Sequence, residues 1–119
     1  MNIKMLVLDL DGTLLRDDKT VSERTNRALS KCRKRGIKIV CATARGNLKS
    51  IVPDELFDGR ILKSCAVAYI GNNLVYNKAM SIDSVRPFLL AVNDAGLPAA
   101  AEHNDGIHYA NFSCRRLYL

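Results

Sequence analysis

Met5-Leu6-Val7-Leu8-Asp9-Leu10-Asp11-Gly12-Thr13-Leu14-Leu15 is the stretch that decides the fold. From Met5 to Leu10 every residue but Asp9 is apolar. The run is too short for a typical helix and ends in Asp11-Gly12, so it predicts a buried parallel strand entering a loop. Such a strand delivers Asp9 to its carboxyl end, beside the crevice where open α/β sheets bind their ligands. As ordinary turn residues, Asp9 and Asp11 would only open a polar loop, with Gly12 for a positive φ and Thr13 for a local hydrogen bond. The placement after an apolar run favours chemistry instead. Burying an ionised Asp9 beside Asp11 costs several kcal/mol unless a cation or hydrogen-bond donors compensate, which points to a metal or a catalytic pair.

Downstream, the pattern from Val21 to Arg35 changes to a helix. Ser22 can cap it, Glu23 suits its first turn, Ala28, Leu29 and Cys32 share an apolar face, and Gly36 stops it. Arg24, Arg27, Lys31, Lys34 and Arg35 cover the rest, as a solvated face would. Ile37 to Ala42 is a second apolar strand, with Thr43-Ala44-Arg45-Gly46 at its carboxyl end. Strand, helix and strand form a βαβ unit, which predicts parallel strands and a right-handed crossover. A short helical segment is expected from Asn47 to Ile51, ended by Pro53. Cys65 to Ile70 reads as a third buried strand, and Gly71-Asn72-Asn73 as the turn of a hairpin into Leu74-Val75-Tyr76. Further on, Ser81 caps a helix bearing Val85, Leu89 and Ala91 or Val92 that ends near Gly96 and Pro98, and Ile107 to Phe112 reads as a strand. A soft boundary falls near residue 80, dividing an α/β core, residues 1–80, from a different module, residues 81–119.

Length and composition bound the functional classes. With 119 residues, 48% hydrophobic and 25% charged, the chain has the balance of one globular domain and excludes disorder or a collagen-like structure. No apolar stretch approaches the ~20 residues of a membrane span. A net charge of +6 favours partners bearing phosphate or other negative groups. Nucleic acid ranks last among them, because the chain has no groove-reading motif and 6% aromatic residues without tryptophan. Cys32, Cys41, Cys65 and Cys114 form no C-x-x-C pair, which argues against zinc and for buried, reduced thiols. Asn2, Ile3 and Lys4 lead directly into the first strand without a cleavable signal, so the expected compartment is the cytoplasm.

The motif Asp9-x-Asp11-Gly12-Thr13 after an apolar strand resembles the first motif of the haloacid dehalogenase superfamily of phosphohydrolases. Thr43-Ala44-Arg45, ending the next strand, resembles the second motif in its Cof-type branch, with Ala44 in place of Gly. Ser22-Glu23-Arg24-Thr25, Ile70-Gly71-Asn72-Asn73 and Asn104-Asp105-Gly106-Ile107-His108-Tyr109 extend the likeness over nearly the whole chain. The implied fold is a Rossmann-like parallel sheet, the N-terminal part of the superfamily's core, followed by the beginning of an α+β cap. The implied activity is hydrolysis of small phosphorylated metabolites through an aspartyl phosphate, with magnesium. Asp9 would be the nucleophile and Asp11 the general acid and base. Two close carboxylates titrate as a coupled pair, so one is expected to keep its proton to higher pH. Magnesium suits an all-oxygen site, here the Asp9 carboxylate and the Asp11 backbone carbonyl. Thr43 would hold a phosphoryl oxygen, helped by backbone N–H groups around Gly12 and Thr13. Arg45 would meet the substrate phosphate or form a structural ion pair.

The superfamily's third motif, a lysine, and its acidic fourth motif have no match before Leu119. The chain reads as a relative truncated before them, carrying half of the catalytic set. The resemblance also implies that Met5 to Leu10 keeps one unpaired edge, and an uncharged edge strand is a template for association, here a homo-oligomer. Two readings follow: a magnesium-dependent phosphatase, or a catalytically inactive relative serving as a phosphate-binding or oligomeric interaction module. His103 and His108 could contact a ligand in the cap, or simply pack.

Overall fold

The computed structural model describes residues 2–48, 51–103 and 106–110. Two compact units divide the chain, Met1–Lys78 and Ala79–Leu119. In the first, β1 (Met5–Leu8), β2 (Lys38–Ala42), β3 (Gly59–Leu62), β4 (Val67–Ile70) and β5 (Asn73–Asn77) build one sheet in the order β1-β2-β3-β4-β5, and the helix α1 (Glu23–Lys34) connects β1 to β2. The strands β1, β2 and β3 run parallel, with Leu8 opposite Cys41 and Cys41 opposite Arg60. From β3 onward the sheet turns antiparallel, through β4 to β5. This is the α/β class expected from the opening motif, with an antiparallel hairpin added at one side.

The βαβ unit forms for the reasons its residues suggest. Ser22 caps α1, its hydroxyl accepting from Thr25 N at 3.0 Å, which satisfies one of the donors left orphaned at a helix start. Gly36 follows the helix with φ +77, the left-handed exit that glycine takes at least cost. Leu29 of α1 packs with Ile39 and Cys41 of β2, Leu62 of β3, and Leu10, Leu14, Leu15, Leu48, Val52 and Phe57, with Leu6 and Leu8 of β1 partly buried against them. Asp58 ties the layers together: its carboxylate accepts from Ile39 N at 2.9 Å and pairs with Arg33 and Lys38, each at 3.5 Å.

Three expectations need correction. The first strand is not buried: it alternates along its length, with Met5 56% and Val7 52% exposed. Leu6 and Leu8 pack against the core, while the opposite side of the strand meets no covering layer among the described residues. It also stops at Leu8; as the family likeness implied, it is an edge of the sheet, hydrogen-bonded among the described residues to β2 alone. Secondly, Cys65 to Ile70 is not the third strand. That place belongs to Gly59–Leu62, and β4 begins at Val67 and runs antiparallel, because Lys63, Ser64 and Cys65 all adopt positive φ and reverse the chain. Thirdly, Asn47 and Leu48 are not helical. Ile51 N and Val52 N both donate to Leu48 O, at 2.9 and 3.2 Å; residues 49 and 50 lie outside the described residues.

In the second unit, α2 (Ile82–Asp94) begins at a Ser81 cap that accepts from Ser84 N at 3.2 Å. An antiparallel pair follows, β6 (Ala99–His103) and β7 (Gly106–Ala110). Asn104, Asp105 and the stretch from residue 111, including Phe112 and Cys114, lie outside the described residues.

Candidate active site

Asp9 leaves β1 in extended conformation and is followed by a wide turn, Leu10–Leu14, closed by Leu15 N donating to Leu10 O at 2.9 Å. Leu10 and Leu14 are buried at its two feet and hold it to the core. Between them Gly12 takes φ +73, and a Cβ built there would meet nothing within 4 Å. Glycine is therefore required by the backbone conformation and not by space. The next residue, Thr13, turns its hydroxyl back to donate to Asp9 Oδ2 at 3.3 Å. One five-residue turn thus carries Asp11, Gly12 and Thr13 past the carboxyl end of β1.

Thr43 lies just beyond the neighbouring strand. With Leu8 paired to Cys41, Asp9 and Thr43 stand at the carboxyl ends of adjacent parallel strands, the position where such sheets bind ligands. Thr43 is buried, its N–H donates to Ile61 O at 2.9 Å, and its hydroxyl accepts from Arg45 N at 3.2 Å. Arg45 then reaches across to Asp11 as a fork, Nε to Oδ2 at 2.6 Å and Nη2 to Oδ1 at 2.7 Å. Lys19 Nζ adds a third contact, to Asp11 Oδ1 at 3.1 Å. The structure therefore links Asp11, Lys19, Arg45 and Thr43 in one hydrogen-bonded chain and pairs Asp9 with Thr13.

These contacts correct the expected electrostatics. Neither aspartate is buried, so no large desolvation cost bears on the pair. The Arg45 guanidinium, and after it the Lys19 ammonium, hold the Asp11 carboxyl far below the usual carboxylate range. Reciprocally, Asp11 raises Arg45. Asp11 is thus an anion clamped by two cations and not the proton-holding member of a pair. Of the two uses expected of Arg45, this structure has the ion pair. Lys19 was missed by sequence reading; its only signal was the turn-forming run Asp17-Asp18-Lys19-Thr20, which says nothing of where the ammonium goes.

For a metal, the donor set is all oxygen, as a hard cation requires. It is also short. With Asp11's side chain clamped, the Asp9 carboxylate and the Asp11 carbonyl remain, and no group of three or more His, Cys, Asp or Glu able to hold an ion occurs among the described residues. The residues present fit one side of a magnesium shell and do not complete it. The side chains of His103 and His108 lie outside the described residues. No helix among the described residues is long and apolar enough to cross a membrane.

Residues 6–116 match the family model of haloacid dehalogenase-like hydrolases. The chain is 33% identical over 93 residues to the 5-amino-6-(5-phospho-D-ribitylamino)uracil phosphatase of Bacillus subtilis, covering 72% of this chain and 36% of that protein. Among solved structures, it resembles a phosphatase of the same superfamily from Bacteroides thetaiotaomicron, with a TM-score of 0.80 and 30% identity over 94% of this chain and 43% of that one. It also resembles a subclass IIB sugar phosphatase, with a TM-score of 0.79 and 26% identity over 92% of this chain and 45% of the other. The chain thus spans less than half the length of each of these relatives. With its opening motif, its strand order and the family match over most of its residues in agreement, this chain belongs to the haloacid dehalogenase-like hydrolases.

Proposed function

We propose that this chain carries the nucleophilic half of a phosphatase for small phosphorylated metabolites. In this reading an Asp9 carboxylate oxygen attacks phosphorus and the bond to the alkoxide leaving group breaks, giving an aspartyl phosphate. Asp11 gives the leaving oxygen its proton, then takes one from the water that attacks the same phosphorus and releases inorganic phosphate from Asp9. Thr43 and the N–H groups around Gly12 and Thr13 hold the phosphoryl oxygens. Magnesium, where bound, would be held by the Asp9 carboxylate and the Asp11 carbonyl and would offset negative charge on the phosphoryl group.

The observation that carries the reading is the division of labour between the two aspartates. Among the described residues Asp9 has one long hydrogen bond, from Thr13, leaving its carboxylate open for attack, while Asp11 is tethered to the loop that bears Thr43. Asp11 needs a proton for its part, so its contact with Arg45 must loosen when phosphate arrives and competes for the guanidinium. Turnover of p-nitrophenyl phosphate with magnesium, lost in Asp9→Asn, is the expected result; turnover that survives Asp9→Asn overturns the nucleophile assignment.

A second reading is favoured by the bare edge of β1 together with the clamped state of Asp11: a phosphate-binding module that assembles as a homo-oligomer through that edge and does not turn over. For it, p-nitrophenyl phosphate hydrolysis stays at background in both proteins while inorganic phosphate still binds.

A further inference from the structure

One cation at the site comes from neither strand end. Lys19 places Nζ 3.1 Å from Asp11 Oδ1, on an oxygen that Arg45 Nη2 already reaches at 2.7 Å. The lysine sits at φ +63, a left-handed conformation that glycine or asparagine adopts more readily than a long side chain. The corner around it is fixed. Lys19 N donates to Arg16 O and Arg16 N to Thr20 O, both at 2.9 Å, and the Asp18 carboxylate accepts from Thr20 N at 3.0 Å and from Thr20 Oγ at 2.6 Å. A strained residue held by its surroundings is the kind of outlier that gathers at ligand sites.

The charges point the same way. Arg45 alone satisfies the Asp11 carboxylate with a two-pronged contact, so Lys19 brings a second positive charge to one negative one. An ammonium has three N–H donors and Asp11 accepts from only one of them. A phosphoryl dianion arriving beside Asp9 and Asp11 would meet two carboxylates as well as Arg45 and Lys19, and the ammonium that has donors to spare is where its charge can be offset.

We propose that Lys19 is a second cation of the phosphate site, its ammonium bridging the Asp11 carboxylate and the phosphoryl oxygens of the ligand. The proposal rests on the phosphatase reading and extends it to a residue outside both strand-end motifs. As a compact point charge on a flexible stem, lysine can keep one contact while making the other.

Calorimetric titration of the chain with inorganic phosphate at low salt tests it. Lys19→Gly is expected to weaken phosphate binding roughly fivefold, the worth of one exposed charge contact. Its melting temperature without phosphate stays the same or rises, because glycine suits the left-handed corner. Lys19→Arg keeps the charge and most of the affinity, and Lys31→Ala, on exposed α1, leaves binding unchanged. Phosphate affinity that is unaltered in Lys19→Gly but reduced in Thr43→Val overturns the role of Lys19 and leaves the phosphate site standing. An equal loss in Lys31→Ala reduces the effect to bulk charge and also overturns it. Absence of saturable phosphate binding in the unaltered chain overturns the phosphate site itself, and Lys19 with it.

Discussion

At the scale of single residues, Asp11 and Gly12 make the sharpest predictions. The folded-state pKa of Asp11 is lowered from 3.8 by Arg45 first and Lys19 second, so below 3.8 the unfolded chain takes up a proton that the folded chain resists. The stabilisation is complete above that range and is lost as pH falls toward the folded value. Denaturant midpoints should therefore hold steady down to about pH 4 and drop below it in the unaltered chain, and drop less in Asp11→Asn, which has no charge for the clamp to hold. The side chain is 41% exposed, so solvent screening keeps the difference small. Gly12→Ala, forced into φ +73, should cost about 1–2 kcal/mol of stability by chemical denaturation, although the added methyl has room. The two aspartates stand out in the sequence because they follow an apolar run that reads as a strand, while Gly12, Thr13 and Thr43 were singled out through the family likeness. The direction of Arg45 could not be read there: two fates were chemically open, and only the fold shows the guanidinium lying on Asp11.

At the scale of elements, legibility followed apolar pattern. The first two strands and α1 were readable because short apolar runs alternate with a capped amphipathic segment. The β3 strand was not, since Gly59 is a poor strand former and Arg60 a charge. Arg60 is nonetheless 8% exposed, its guanidinium 5.1 Å above the Tyr69 ring and its Nη2 donating to Gly71 O at 2.6 Å. Buried partners of that kind are invisible in a linear sequence. The turn that follows places Lys63, Ser64 and Cys65 at φ +53, +51 and +72, and its amides brace the second motif, with Lys63 N donating to Arg45 O at 3.0 Å. Relieving one such position by Ser64→Gly should stabilise the chain by about 0.5–1 kcal/mol, seen as a higher melting temperature. Asp58→Ala, which strips Ile39 N of its acceptor and two cations of their partner, should cost about 1–3 kcal/mol in equilibrium unfolding.

At the scale of the whole molecule, the sheet of the first unit ends in β1 on one side and β5 on the other. On β1 the exposed Met5 and Val7 are apolar and nothing charged interrupts Met5 to Leu8, a composition that invites pairing with another copy. Light scattering on a size-exclusion column should show mass rising with concentration, and Val7→Lys should return the chain to monomer; a monomer at every concentration removes the oligomeric reading. The edge position of this strand was legible only through family likeness, because one chain's residues do not say how many neighbours a strand has.

The wide turn after β1 is therefore moored at one end to an edge ribbon of its sheet. If β1 peels away from β2, Asp9 swings off with it while Thr43 stays behind, so under the proposed phosphatase reading reactivity and border fraying are one event seen by two instruments. Amide exchange at Leu6 and Leu8 would then be a clock for how often the chemistry is assembled at all.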